Sequence, residues 1–241
     1  MDLNGKTILL TGGSAGIGRT LAFQLRDAGA NVVLTGRDPA RLAAMREAGF
    51  EALVANLSSA AGVDDLIAQW GERPLDILLN NAGMGAVQDY RSGDPDPDDG
   101  DACFYANLSA PVRLITGLLP LLKARNQAMI VNVTSGLALT PSAGGSVYSA
   151  SKAGLRSFTF SLRKQLEDTA ITVIEILPPM VETQMTDGQK GTKISTEQCA
   201  RIMLRGMVQD QELVYIGQAR LLKWIQSVSP ALARWILLKA S

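Results

Sequence analysis

Seven short apolar runs, each nearly continuous, are separated along the chain by longer segments of helical periodicity, and this alternation constrains the fold more than any other feature. A strand exposed on one face alternates apolar and polar residues. A run that is apolar throughout needs cover on both faces, as a parallel strand between two helical layers has. The strand candidates are residues 7–11, 31–35, 52–55, 75–79, 128–134, 172–177 and 213–216, with helical patterns over 17–28, 39–48, 61–71, 101–124 and 147–168. The expectation is an α/β fold, a doubly wound parallel sheet of about seven strands with helices on both faces and ligands at the carboxyl ends of the strands. A length of 241 residues suits one core and is short for two, so residues 1–241 are read as a single domain. The Ser/Gly-rich stretch at 142–146 is too short to divide it.

Composition narrows the chemistry open to such a fold. The chain has no histidine, which excludes Ser-His-Asp and Cys-His hydrolases, His-rich zinc sites and His-ligated haem. Tyr, Lys, carboxylates, two cysteines or a cofactor remain. Lys plus Arg and Asp plus Glu both number 23, and without a basic excess no nucleic-acid partner is expected. Cys103 and Cys199 lie far apart without metal or redox spacing, which predicts buried thiols, no metal and a reducing, cytoplasmic setting. The N-terminal residues lack the pattern of a secretory signal, and no apolar run approaches the ~18 residues needed to cross a bilayer.

The first strand candidate runs into Thr11-Gly12-Gly13-Ser14-Ala15-Gly16-Ile17-Gly18, and a helix follows. Glycines at 12, 16 and 18 permit a tight turn and close approach to a pyrophosphate, while the helix start, with Ser14 and Ile17 beside it, offers unpaired N–H groups and a positive dipole end. A plain structural turn is the alternative. About 20 residues on, where dinucleotide folds meet the adenine ribose, stand Gly36 and Arg37 instead of an acid. A planar cation suits a 2′-phosphate. NADPH/NADP+ is therefore expected in preference to NADH, the alternative being a solvated arginine partly neutralised by Asp38. Further along, Tyr148 and Lys152 stand one helical turn apart on one face. A free phenol ionises near ~10, and the lysine is the cation that would bring it toward neutrality.

With Ser135 ending the fifth strand candidate, these motifs resemble the short-chain dehydrogenase/reductase family of single-domain oxidoreductases. The resemblance rests on Thr11, Gly12, Gly16 and Gly18, on Asn80-Asn81-Ala82-Gly83, and on Asn107, Ser135, Tyr148 and Lys152, in order over essentially the whole chain. It implies hydride transfer between a nicotinamide and a carbonyl carbon, with Tyr148 as proton donor in reduction and base in oxidation. Ser135 would orient the substrate oxygen, and Lys152 would lower the Tyr148 pKa and bind the nicotinamide ribose. Asn107 would hold a water linking Lys152 to solvent, and Asn81, Ala82 and Gly83 would line the cofactor. Two departures stand out. Asn56 occupies the place of the family's acid at the adenine, and Pro178-Pro179 replaces Pro-Gly ahead of Val181 and Thr183, which match the Val-x-Thr expected at the carboxamide. With the acidic insertion at 94–101, these point to a bacterial subgroup similar to oxidoreductases named for D-alanine-lipoteichoic acid operons.

The expected reaction is NADPH-dependent reduction of a small, fairly apolar ketone or aldehyde. Alcohol oxidation with NAD(P)+ and a catalytically idle nucleotide sensor or scaffold are the alternatives. A substrate lid is expected at about 179–200, with Gly188 and Gly191 loosening it, and Met84, Leu137, Met180 and Met185 are candidates either for an apolar pocket or for ordinary packing. Charge is segregated: Asp89, Asp94, Asp96, Asp98, Asp99 and Asp101 face only Arg91, whereas no acid follows residue 213. That tail, about 218–241, sets Arg220, Lys223, Arg234 and Lys239 among Leu221, Trp224, Ile225, Leu232, Trp235 and Ile236, with Ser229-Pro230 reading as a helix start. Packing against the domain or another subunit, peripheral membrane contact and a cover over the substrate are its three readings. The resemblance also implies a homodimer or homotetramer built from the helices containing Asn107 and Tyr148.

Overall fold

The computed structural model describes residues 1–239 other than Val87, Ser92 and Asp94. Its elements alternate as β1 (Thr7–Leu10), α1 (Gly16–Asp27), β2 (Asn31–Gly36), α2 (Pro39–Glu47), β3 (Glu51–Val54), α3 (Ala60–Trp70), β4 (Ile77–Asn80), α4 (Pro97–Phe104) and α5 (Ala110–Lys123). They continue as β5 (Ala128–Val133), α6 (Ser146–Gln165), β6 (Ile171–Leu177), α7 (Thr196–Val208), β7 (Leu213–Tyr215), α8 (Gln218–Val228) and α9 (Pro230–Lys239). The seven strands pair in parallel in the order β3-β2-β1-β4-β5-β6-β7. This is the doubly wound, single-domain sheet expected from the alternation.

Successive strand residues point to opposite layers. Leu10, Leu79 and Val131 join Leu21, Leu25, Met203 and Met207 on one face. Leu9, Leu78 and Ile130 join Leu66, Trp70, Leu114 and Leu118 on the other. Both faces are consumed, which is why the strands read as unbroken apolar runs. Between β1 and β4 the strand order reverses, and the loops leaving their carboxyl ends diverge to open a crevice there.

Two elements differ from the expectation. Helix α4 begins at Pro97, inside the acidic run, because Asp96 caps it by accepting from the Asp98 N–H and Pro97 takes the first turn. Asp98 and Asp99 then sit where the helix dipole favours anions. Asp94, part of that run, lies outside the described residues, as do 240–241 of the tail. Helix α7 was not anticipated. Its Cys199, Ala200, Met203 and Met207 are buried at helical spacing against the α1 layer, so the segment expected as a lid at 179–200 runs into its first turns. The continuous helical stretch Pro97–Lys123 is, among the described residues, the one long and apolar enough to cross a membrane. Ala110, Leu114, Leu118 and Leu122 on it are buried in the core.

Candidate active site

At the head of the crevice, Thr11 Oγ1 accepts the N–H groups of Asn81 and Ala82, both at 3.0 Å, and Asn81 Nδ2 donates to the carbonyls of Thr11 at 3.0 Å and Gly12 at 3.3 Å. These bonds clamp the turn after β1 to the end of β4. Gly12 has φ +66, and a Cβ there would stand 2.9 Å from Ala82 Cα; at Gly18 it would stand 2.2 Å from the Gly12 carbonyl oxygen. The turn is thus packed to backbone contact, which only glycine allows. Helix α1 follows Ala15, whose methyl cannot cap it, whereas α2, α3 and α7 are capped by Asp38, Ser59 and Ser195. Its first N–H groups are left for an anion, beside a cleft of about 940 Å³ lined by Gly12, Ser14, Gly16, Ile17 and Gly18. The cradle fits a dinucleotide phosphate.

Arg37 lines the same cleft at the end of β2 and is exposed. Asp38 does not neutralise it. Asp38 Oδ1 accepts from the N–H groups of Ala40 and Arg41, and Oδ2 lies 3.4 Å from Arg41 Nε. Among the described residues Arg37 has no ion pair within 4.0 Å, so its guanidinium is available to an added phosphate.

At the other end, Ser135 follows β5, Tyr148 and Lys152 lie in the first turns of α6, and all three line the cleft. The Ser135 and Tyr148 hydroxyls are hydrogen-bonded, and Ser135 Oγ also accepts from the Leu137 N–H at 3.1 Å. Lys152 Nζ donates to the Val133 carbonyl at 2.9 Å and lies 5.9 Å from the Tyr148 ring centroid. Burial pushes the Tyr148 phenol up, against the Ser135 hydrogen bond and with the Cys103 thiol adding to the rise. The expected lowering by Lys152 is not what the chain alone shows. The ammonium is itself buried and its pKa is pulled down to about 8 by desolvation, partly offset by Cys103.

Asn107 sits at the centre of a wide, π-type turn, Tyr105–Ser109, joining α4 to α5. Pro111, four residues on, has no N–H to give the Asn107 carbonyl, which loses its usual helical donor. The buried amide accepts from the Met84 N–H at 2.9 Å and has the Met84 carbonyl, Ser151 Oγ and Cys103 Sγ at 2.8, 3.0 and 3.2 Å from Nδ2. Gly83 makes room for this cluster, since a Cβ there would stand 3.1 Å from Asn107 Oδ1 and 3.3 Å from Lys152 Nζ. Both cysteines are free and buried, and burial drives the Cys199 thiol up to about 12.

The remaining expected residues divide. Asn81, Ala82, Gly83, Pro178, Val181 and Thr183 line the cleft, as do Met84 and Met185. Asn56 does not: it is exposed, its side-chain oxygen accepts the Ser58 N–H at 3.1 Å in an Asx turn, and Leu57 and Ser58 line the wall in its place. Leu137 and Met180 also stand off the lining. The segment after β6 turns at Gln184–Thr186 and returns to bridge Val181 with Ile194. Arg41 was missed. Its Nη2 donates to Gln184 Oε1 at 2.8 Å, spanning the cleft from α2 to that segment, and its four-residue offset from Arg37 at a helix start was the available signal.

Residues 6–193 match the short chain dehydrogenase family. The chain is 37% identical over 227 residues to the uncharacterized oxidoreductase DltE of Bacillus subtilis, covering 88% of each chain. It is 34% identical over 183 residues, 72% of each chain, to the NADP-dependent 3-hydroxy acid dehydrogenase YdfG of Salmonella typhi. A short-chain dehydrogenase from Burkholderia cenocepacia J2315, solved in complex with NADP, shares the fold with a TM-score of 0.87 at 24% identity over 99% of both chains. With the glycine cradle, the uncapped helix and the Ser135, Tyr148 and Lys152 group along one cleft, the chain belongs to the short-chain dehydrogenase family and is an NAD(P)-dependent oxidoreductase.

Proposed function

We propose that the protein reduces an apolar ketone or aldehyde with NADPH. The observation that carries this reading is the Tyr148 phenol, beside Ser135 and Lys152 on the wall of the same cleft that the glycine turn and Arg37 line. A phenol keeps its proton at neutral pH, which is the state a proton donor in carbonyl reduction needs. When bound, NADPH supplies the hydride that adds to the carbonyl carbon. Ser135 orients the carbonyl oxygen, and Tyr148 Oη gives it the proton that completes the alcohol. Lys152, beside Gly83 and Val133, binds the ribose hydroxyls and stabilises the phenolate left behind. The Asn107 carbonyl, freed by Pro111, holds a water that returns a proton by way of Lys152. Gly12, Ser14, Gly16, Ile17 and Gly18 hold the pyrophosphate, Arg37 the 2′-phosphate, and Val181 and Thr183 the carboxamide. Met84 and Met185 give the substrate end of the cleft its apolar character.

A panel of apolar and polar carbonyl compounds, followed by loss of NADPH absorbance, tests the reading. Tyr148→Phe should lower turnover by roughly 10²- to 10⁴-fold; undiminished turnover overturns the mechanism. Arg37→Ala should weaken NADPH about tenfold to a hundredfold, the worth of one charge-assisted hydrogen bond, while NADH is spared. Equal losses for the two nucleotides would remove the phosphate role. The free buried thiols support placing the protein in the cytoplasm, and Phe104 and Phe160, exposed on α4 and α6, support a homo-oligomer through those helices.

A further inference from the structure

We infer that α8 and α9 form a docking surface for an anionic lipid bilayer. Among the described residues, half of the twelve exposed large hydrophobic side chains fall between residues 221 and 238. On α8, Leu221, Trp224 and Val228 share one helical face, and on α9, Leu232, Trp235 and Leu238 share another; each is between 46% and 69% exposed. Two solvent-facing tryptophans on adjoining short helices exceed the scattered apolar residues of an ordinary surface.

Charge selects the occupant. All 23 acidic residues precede residue 213, where they face 19 basic ones, while the tail holds four basic residues and no acid. The body is therefore net negative and the tail net positive. An anionic surface attracts the tail and repels the rest, which fixes the orientation as tail-first. A symmetric contact between the tails of two copies would set like charges together with no Asp or Glu of the tail to offset them. Trp and Leu with flanking Arg and Lys are also the side chains an interface between water and acyl chains accommodates, the rings at the headgroups and the long cations reaching back to phosphate.

The surface is joined to the catalytic wall. A Cβ on Gly136, the residue after Ser135, would stand 3.6 Å from Ala219 Cβ and 3.8 Å from Leu222 Cδ2. Gln226 Nε2 donates to the Leu139 carbonyl at 2.5 Å. Docking through α8 and α9 thus sets the Ser135 side of the cleft beside the lipid, where an apolar carbonyl compound dissolved in the bilayer is within reach. The docking stands apart from the reductase reading; only this consequence for substrate delivery rests on it.

The test uses the full chain with phosphatidylglycerol-containing vesicles and with pure phosphatidylcholine vesicles, read by cosedimentation and tryptophan emission. Trp70 is buried and serves as a constant background. The wild-type chain should sediment with the anionic vesicles with a blue shift of emission, and little with the neutral ones. Trp224→Gln with Trp235→Gln should weaken binding roughly tenfold or more, and each of Arg220→Gln, Lys223→Gln, Arg234→Gln and Lys239→Gln about fivefold, all with an unchanged melting midpoint and unchanged NADPH turnover on a soluble carbonyl. The inference is overturned by absence of sedimentation, by equal binding to both vesicles, or by undiminished binding of the double Trp variant. It is also overturned if emission is already blue-shifted without lipid and moves to the red on dilution, for then a second copy covers the face. Turnover is measured separately, so failure to bind vesicles leaves the reductase reading standing and failure to reduce carbonyls leaves the docking standing.

Discussion

Lys152 and Tyr148 respond to burial in opposite senses, and this sets the pH behaviour. Desolvation lowers the ammonium to about 8 and raises the phenol. Above neutrality the lysine therefore loses its charge while the tyrosine keeps its proton. kcat/KM for NADPH, which reports the free enzyme, should fall through about pH 8 with the loss of one proton, and Lys152→Arg, charged throughout, should carry the fall out of the accessible range. A wild-type profile flat across that interval would show that the ammonium charge is not needed. The sign for stability follows. The folded value lies below the ordinary 10.5, so between about 8 and 10.5 the unfolded chain binds more protons, and this group makes stability rise with pH across that window. A second residue-scale expectation concerns Gly18. A methyl 2.2 Å from the Gly12 carbonyl oxygen and 2.5 Å from Asn81 Nδ2 forces the clamp apart, and Gly18→Ala should cost ~1–3 kcal/mol, read as a lower melting midpoint together with weaker NADPH binding. Chemistry at this scale was legible where spacing fixes position: the glycines, Arg37, Ser135, Tyr148 and Lys152 all meet one cleft. It was not legible where a local bond decides. Asn56 leaves the wall because its amide closes on the Ser58 N–H, and a four-residue spacing says nothing of the Lys152 hydrogen bond to Val133.

At the scale of elements, buried polar side chains join strands to a helix. Asn80 Nδ2 donates to Asn132 Oδ1 at 2.9 Å, Asn132 Nδ2 donates to Thr159 Oγ1 at 2.9 Å, and Thr159 Oγ1 donates to the Leu155 carbonyl at 2.6 Å. The ladder runs from β4 through β5 to α6, the helix bearing Tyr148, and all three side chains are buried. Beside it Glu175 of β6 accepts from Thr134 Oγ1 at 2.7 Å and pairs with Arg156, one turn beyond Lys152. Asn132→Leu leaves the Asn80 amide without its acceptor in the core, and denaturant unfolding should show a loss of ~1–3 kcal/mol; a loss within a few tenths would mean that α6 is held by apolar packing alone. Such links escape a reading of periodicity, since Asn132 and Glu175 interrupt apolar runs without revealing their partners. The same limit hid α7, whose buried Cys199, Ala200, Met203 and Met207 follow directly on a polar, glycine-bearing stretch, and shifted the start of α4, where acidic residues that suggest a loop are what a helix N-terminus favours.

For the whole molecule the doubly wound parallel architecture was legible, because both faces of every strand must be covered and crossovers have one hand. Which apolar side chains the helices leave on the surface was not, since exposure becomes visible only after the helices are placed. Phe104 on α4 is 39% exposed and Phe160 on α6 is 41% exposed, and Phe160 is flanked by the guanidinium groups of Arg156 and Arg163. These helices carry the approach to Asn107 and the Tyr148–Lys152 face, so an interface formed there would brace the catalytic wall from behind. Pairing of this surface between two copies predicts that the wild-type chain scatters light as a dimer or a larger even assembly and melts higher as concentration rises. Phe104→Glu with Phe160→Glu should then dissociate it, because carboxylates brought together at a buried contact repel and lose their water. The variant should be monomeric and melt at a temperature independent of concentration. Retention of the wild-type size by the double variant would place the interface on another face, and a monomeric wild-type chain would leave the catalytic wall supported by its own core.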